Sequence, residues 1–312
     1  ERQAEGNNLC AIGKFFKSCV HTLNGGPSMA RRPLSLHDGP DSPFVHLCQP
    51  DASKSCGACC GLYNYADSGR ESLVERLRRR TALFRASVRG PEDLPRYAET
   101  VRATEDGARR YEVIHCCEYV GFLDAEERRV GCLLHPMQNG GKELRDASFY
   151  GRELCDGHFC PSYSYIARDE KLALIEILDD WYLYGVCVTD IDLVKEFFRL
   201  VSEAAGEMPP PARFRDPALR EEARRFFGLK LAWPFRSEAA NRFGKYSFDG
   251  TEYAVHAIDY GALGCETSRF DRIFLSLQSD FASAGDVRKA EAIVREHLEA
   301  VVRRYRELVD LR

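Results

Sequence analysis

Cysteine is the residue most able to do chemistry in this sequence, with 13 among 312 residues, and the thirteen are unevenly placed. Nine of them, Cys48, Cys56, Cys59, Cys60, Cys116, Cys117, Cys132, Cys155 and Cys160, fall between residues 48 and 160, and only Cys187 and Cys265 follow. Ser55-Cys56-Gly57-Ala58-Cys59-Cys60-Gly61 sets three thiols within five residues, with glycines that let the backbone wrap closely around an ion. A two-residue gap lets Cys56 and Cys59 chelate one centre in a tight turn, as zinc knuckles and iron–sulfur loops both do. Adjacent Cys59 and Cys60 are hard to aim at a single ion, so one of them is expected to serve a second metal or to pack inside. Cys116-Cys117, Cys132 and the Cys155–Cys160 pair bring further thiols, and with Cys48 the nine suffice for two four-cysteine sites with one left over. Soft thiolates select zinc, iron–sulfur or copper(I) over hard ions. The surplus of thiols and the two adjacent pairs favour an iron–sulfur cluster over zinc. His115, His135 and His158 lie in the same window as alternate ligands.

The rest of the composition bounds what such a centre serves. Lys plus Arg is 44 against 48 Asp plus Glu, so no global positive field exists to hold a polyanion and nucleic acid is not an expected partner. Apolar stretches such as Leu172–Leu178 stop well short of the ~18 to 20 residues that span a bilayer, so no membrane partner is expected. Residues 1–30 lack the apolar core of a secretory signal, which makes a metal site in a reducing compartment the better reading than a disulfide framework, and the cytoplasm the expected location.

Elements must position these thiols, and the sequence reads as α+β, predominantly helical. Residues 1–40, rich in Gly, Asn, Ser and Pro, read as a flexible extension, within which Met29 opens a stretch that reads like a natural start. Residues 41–165 read as an irregular, metal-organised cysteine-cluster domain with a short hairpin, and residues 166–312 as a mainly helical domain. Glu71–Arg89 carries Leu73, Leu77, Phe84 and Val88 at helical spacing, with Gly90-Pro91 as its stop, and Pro91–Arg110 reads as a second helix. The eleven arginines and seven acids of residues 70–110 read as a solvated helix face. Tyr111–Ile114 and Val130–Leu134 are β-prone runs bracketing the charged turn Asp124–Arg129, a pairing that sets Cys116, Cys117 and Cys132 near one another. Helices are expected over Lys171–Tyr184, Ile191–Val201 with Asp190 as cap, Pro217–Phe227 and Asp286–Leu311, and a hairpin around Asp249-Gly250. With so little regular structure the cysteine domain is expected to draw stability from its ion, so that loss of Cys59 both unfolds and demetallates it.

Cys56-Gly57-Ala58-Cys59-Cys60, then a cysteine before Gly121-Phe122-Leu123, then Gly131-Cys132-Leu133-Leu134-His135-Pro136, then late cysteines, resembles the YkgJ-type cysteine-cluster family. That family is described as a zinc- or iron-chelating domain with a C-x2-C-x2-C-C signature, and flagellin lysine N-methylase is among its relatives. The resemblance covers about residues 48–165 and implies Cys56, Cys59 and Cys60 as the first ligand group, then Cys117, Cys132, and Cys155 or Cys160. The family's first cysteine falls at Ser53, so Cys48 substitutes for it or that ligand is absent. The function expected is a structural or electron-carrying metal-binding protein. The alternative implied by the resemblance is a cluster-dependent protein-modifying enzyme such as a lysine N-methylase, with a protein partner or protein substrate.

Two other signals compete. Cys56-x-x-Cys59 could serve as a thiol–disulfide pair, although the polar segment before it and the adjacent Cys60 suit that chemistry poorly. Ala254–Asp259 followed by Gly261-Ala262-Leu263-Gly264 superficially resembles an adenosylmethionine turn but reads better as an ordinary one. Phe149, Tyr150, Tyr163, Tyr165, Trp181, Tyr182 and Tyr184 read as packing that shields the metal centre.

Overall fold

The structure, a computed structural model, describes residues 44–239, 242–249 and 252–310. The extension 1–40, with Cys10 and Cys19, lies outside these residues. Val45–Arg312 forms one compact unit, mainly helical with two small antiparallel sheets. Among the described residues no helix is long and apolar enough to cross a membrane.

Two hydrophobic clusters organise the unit. The smaller gathers Leu73 and Leu77 of helix α1 (Arg70–Ser87) and Leu94, Tyr97 and Val101 of α2 (Leu94–Thr104) against a hairpin, β1 (Val120–Phe122) with β2 (Val130–Cys132). The hairpin register pairs Val120 with Cys132, Gly121 with Gly131 and Phe122 with Val130. Two short helices follow, α3 (Gly151–Gly157) and α4 (Ser162–Tyr165). The larger cluster is built by α5 (Arg168–Ile177), α6 (Trp181–Val188), α7 (Ile191–Ala205), α8 (Pro217–Ala232), α9 (Asp271–Ser276) and α10 (Ala284–Asp310). Between α8 and α9 lies a sheet of β3 (Arg242–Phe243), β4 (Tyr246–Asp249) and β5 (Glu252–Val255), in that order.

Local chemistry explains the boundaries. Asp190 and Asp216 each accept the backbone N–H three residues on, at 3.1 and 2.9 Å, and so cap α7 and α8 as their positions before apolar runs lead one to expect. α10 buries Val287, Ala290, Val294, Leu298, Val301 and Tyr305 along one face, the stripe its spacing announces. The expected Lys171–Tyr184 helix is two helices, because Asp180 accepts the N–H groups of Tyr182 and Leu183 and starts a new one. The helix expected over Pro91–Arg110 opens as a 3-10 turn at Pro91–Asp93 and stops at Thr104. Beyond it the chain turns extended, and Tyr65 bridges Arg109 in antiparallel fashion. Tyr111–Ile114 is a turn rather than a strand, and the partner of β2 lies further on at Val120–Phe122. Ala254–Asp259 and its glycines form the end of a hairpin strand and a turn.

The basic stretch of α1 is not wholly a solvated face. Arg76 and Arg80 turn inward, both onto Glu105, with all three side chains at most 7% exposed. Arg80 also donates to the Tyr65 hydroxyl at 2.6 Å and to the Cys117 carbonyl at 2.9 Å, and the Arg76 guanidinium lies 3.8 Å over the Tyr65 ring. One carboxylate thus neutralises two buried guanidiniums. Glu105→Ala leaves both uncompensated and is expected to destabilise the protein by about 3–5 kcal/mol. Glu75→Ala, which removes the exposed Glu75–Arg79 pair, is expected to cost less than about 1 kcal/mol. Denaturant unfolding of the two variants measures the contrast.

Candidate metal centre

The segment Cys56–Gly61 runs between the two hydrophobic clusters. Cys56 packs on the larger, and Cys60 and Cys132 on the smaller. Cys59 and Cys60 close a 3-10 turn, Ala58–Cys60, that ends at Gly61 in the left-handed region at φ 76°. A Cβ at Gly61 would stand 2.1 Å from the His115 carbonyl oxygen, so only glycine lets the turn press against the His115–Cys116 backbone. The Cys117 N–H then donates to the Cys60 carbonyl at 2.9 Å and joins the two cysteine-bearing segments directly. Asn64 fastens the same junction, donating to the carbonyls of Tyr111 and Ile114 at 2.9 and 2.8 Å and accepting the Tyr111 N–H. Ser55 clamps the hairpin from the other side, its hydroxyl donating to the Val130 carbonyl and accepting the Val130 N–H.

Cys48 is held by a separate set of bonds. Its N–H donates to the Tyr163 hydroxyl at 3.1 Å, that hydroxyl donates to the Cys48 Sγ at 3.3 Å, and the Cys56 N–H donates to the Cys48 carbonyl at 2.9 Å. Tyr184 adds a bond from its hydroxyl to the Leu47 carbonyl. Cys160 sits just before α4, and Cys155 lies within α3.

The electrostatics sort eight thiols into two groups. Burial pushes Cys48 and Cys56 up, with Cys160 adding to each and Cys48 adding to Cys56. Cys59 is raised first by its contact with Cys160 and further by Cys56 and Cys48, while the same contact holds Cys160 down at about 6. This first quartet is Cys48, Cys56, Cys59 and Cys160. Burial raises Cys60 well above a free thiol, and Cys117, Cys132 and Cys155 raise it further. Burial, with Cys132, Glu118 and Cys155 adding, takes Cys117 up to about 12 against a lowering backbone N–H, and burial and Cys155 take Cys132 to about 11. The second quartet is therefore Cys60, Cys117, Cys132 and Cys155. Cys56 acts on Cys60 as well, so the groups adjoin through the Cys56–Cys60 turn. Cys59 in one quartet and Cys155 in the other are exposed, and the remaining six are half-buried or buried.

The eight thiols named from the sequence as candidate ligands are the ones whose electrostatic influence on one another these groups describe. Cys116, the ninth, points away to the Gly61 carbonyl at 3.3 Å and to Asn64. Cys187 and Cys265 lie with the larger cluster. Every described cysteine is a free thiol, and the upward shift of Cys56 runs opposite to the lowered pKa that makes a C-x-x-C pair nucleophilic. Among the described residues, the one set of three metal-binding groups whose ligand atoms all lie within 4.8 Å is His115, Cys117 and Glu118. His115 Nε2 stands 3.5 Å from Glu118 Oε2, its ring stacks on Phe149 at 4.4 Å, and Nε2 is buried without a hydrogen-bond partner. Of the expected shielding aromatics, Tyr150 lies beside Cys60 and Cys117, Tyr163 beside Cys48, and Tyr184 beside Cys56 and Cys48. Tyr165 is exposed instead, and Trp181 packs edge-on against Phe122. Sequence reasoning missed Ser55, Asn64 and Glu118; for Glu118 alone a signal existed, its position three residues after His115.

No protein-family model, curated protein or solved structure matches the chain.

Gly61→Ala forces a left-handed residue into a backbone carbonyl and is expected to destabilise the protein by about 2 kcal/mol or more. Gly107→Ala, where a Cβ meets nothing within 4 Å, is the matched control and is expected to stay within about 1 kcal/mol of the parent. Thermal and denaturant unfolding of both variants test this.

Proposed function

We propose that this is a cysteine-cluster metal-binding protein with two four-thiolate centres, and that its role is to carry electrons. What supports the reading is that main-chain hydrogen bonds join Cys117 to Cys60 and Cys56 to Cys48, each at 2.9 Å, and that eight cysteines of these segments act on one another electrostatically. Four thiolates are the full ligand set of either a structural zinc or a cubane iron–sulfur cluster. The surplus of thiols and the adjacent pairs Cys59-Cys60 and Cys116-Cys117 favour the cluster, since a cubane gives each thiolate its own iron. Two clusters joined through neighbouring residues of one turn would sit close enough to exchange electrons, which supports a carrier role over a purely structural one.

A second reading is favoured by the compactness of His115, Cys117 and Glu118, a mixed nitrogen, sulfur and oxygen set suited to a single zinc with an open position. It uses Cys117 but needs neither Cys60 nor Cys155.

Elemental analysis, acid-labile sulfide and absorption spectra of protein purified without oxygen test both readings. The expected result is about eight iron and eight sulfide per chain with a broad band near about 400 nm. Cys60→Ser is expected to lose about half the iron and Cys116→Ser none. About two zinc per chain and a featureless visible spectrum overturn the iron–sulfur reading, and one zinc lost in His115→Ala but retained in Cys155→Ser selects the mixed site. Protein free of stoichiometric metal overturns both.

A further inference from the structure

A groove of about 540 Å³ lies apart from the thiols, where α10 packs beside α7 and the Arg269-Phe270 corner that leads into α9. Its floor is apolar: Leu200 of α7, Phe270, and Leu298 and Val302 of α10 line it, each at most 7% exposed. Its rim is cationic. Arg269, Arg295, Arg303 and Arg306 stand around it against one carboxylate, Glu299, in a chain whose net charge is −4. The α10 side chains share a face because Arg295, Glu299, Val302 and Arg306 follow one another at three- and four-residue intervals, with Leu298 and Arg303 beside them.

Two of the arginines build the wall. Arg306 reaches across to α7 and donates to the Ala204 carbonyl at 2.5 Å, and the Arg269 guanidinium lies 5.3 Å over the Phe270 ring and 3.9 Å from Glu203. The other two are uncommitted: among the described residues neither Arg295 nor Arg303 forms an ion pair or a side-chain hydrogen bond, and Glu299, four residues from each, pairs with neither. Exposed guanidiniums pay nothing for standing alone; what they supply is recognition, since their forked N–H groups match the oxygens of a carboxylate or phosphate. Arg295 and Arg303 are about 12 Å apart at the helical rise, so a headgroup held by one leaves Leu298 and Val302 open to an apolar body. The volume falls in the range of small-molecule sites, roughly 300–1,000 Å³. A free inorganic anion has no use for the apolar floor, and a neutral apolar molecule has none for the arginines. The combination selects a ligand with both parts.

We propose that this groove binds a small amphipathic anion, an acyl or aryl body bearing a carboxylate or phosphate headgroup. Leu200, Phe270, Leu298 and Val302 lie under the body, and Arg295 and Arg303 supply the donors for the headgroup. The site does not depend on the metal reading, since neither quartet contributes a lining residue.

Titration of the purified full chain with decanoate, below its micelle concentration and at constant ionic strength, tests the groove through calorimetry and the decanoate dependence of Tm. Saturable binding of about one decanoate per chain is expected, with acetate, the headgroup alone, and decanol, the body alone, each at least about tenfold weaker. Arg295→Ala combined with Arg303→Ala is expected to weaken decanoate at least about tenfold while leaving the Tm of the ligand-free protein unchanged, because both side chains are exposed. Arg85→Ala, an exposed arginine of α1, leaves binding unchanged. Decyl phosphate in the same titration distinguishes the headgroups: tighter binding than decanoate marks a phosphate ligand, weaker binding a carboxylate, and either supports the site. No saturable binding of either anion, decanol binding as tightly as decanoate, or equal decanoate affinity in the double arginine variant overturns it. A groove that takes no small anion and instead closes against a second copy of the chain, seen as a dimer in sedimentation, likewise overturns it. Metal content plays no part in these readouts.

Discussion

Adjacent residues in a tight turn cannot aim their side chains at one point, and Cys59 and Cys60 are adjacent. The 3-10 turn at Ala58–Cys60 sends one thiol toward Cys160 and the other toward Cys117 and Cys132, and the surrounding fold is arranged to meet each of them. On one side Tyr163 and Tyr184 hold the Leu47–Cys48 segment against the turn. On the other, Gly61 and Asn64 let the His115–Cys117 backbone close on it, and Arg80 holds the Cys117 carbonyl from behind. The two hydrophobic clusters come up to the turn from opposite sides.

Most polar side chains around this turn are spent on backbone. Ser55, Asn64, Tyr163 and Arg80 each satisfy main-chain groups in segments that have no ladder or helix of their own. An irregular chain is thereby given a definite path without regular secondary structure. Thiols raised by burial are neutral in the absence of a metal, so a soft cation entering either quartet has to displace protons. Metal loading of the proposed centres is for that reason linked to pH, with affinity increasing as protons become easier to remove.

The helical half was largely legible in the sequence because its signals are local. Asp190 before an apolar run, Pro217 after Asp216, and the long stripe of α10 each fix an element within a few residues. Where the reading went astray, a distant partner had intervened. Tyr111–Ile114 has the residue types of a strand, yet its carbonyls are taken by the Asn64 amide. The α2 helix ends where Glu105 is claimed by Arg76 and Arg80 from another helix. Eight cysteines could be named as candidate ligands from spacing and the family resemblance, with Cys116 already set aside. Which of them act on one another depends on contacts between segments distant in sequence and could not be read from spacing.

Cys59 in the first group and Cys155 in the second are the exposed residues, with the Cys59 sulfur lying against Cys160, and the other six are half-buried or buried. For the proposed centres this makes assembly directional. Cys59 and Cys155 are the residues at which a donor protein or small-molecule carrier would first meet the proposed centres. Cys59 and Cys155 come from different parts of the chain, a tight turn and a short helix, so the two centres have separate doors. They can fill and fail independently even though they are joined by a single peptide bond.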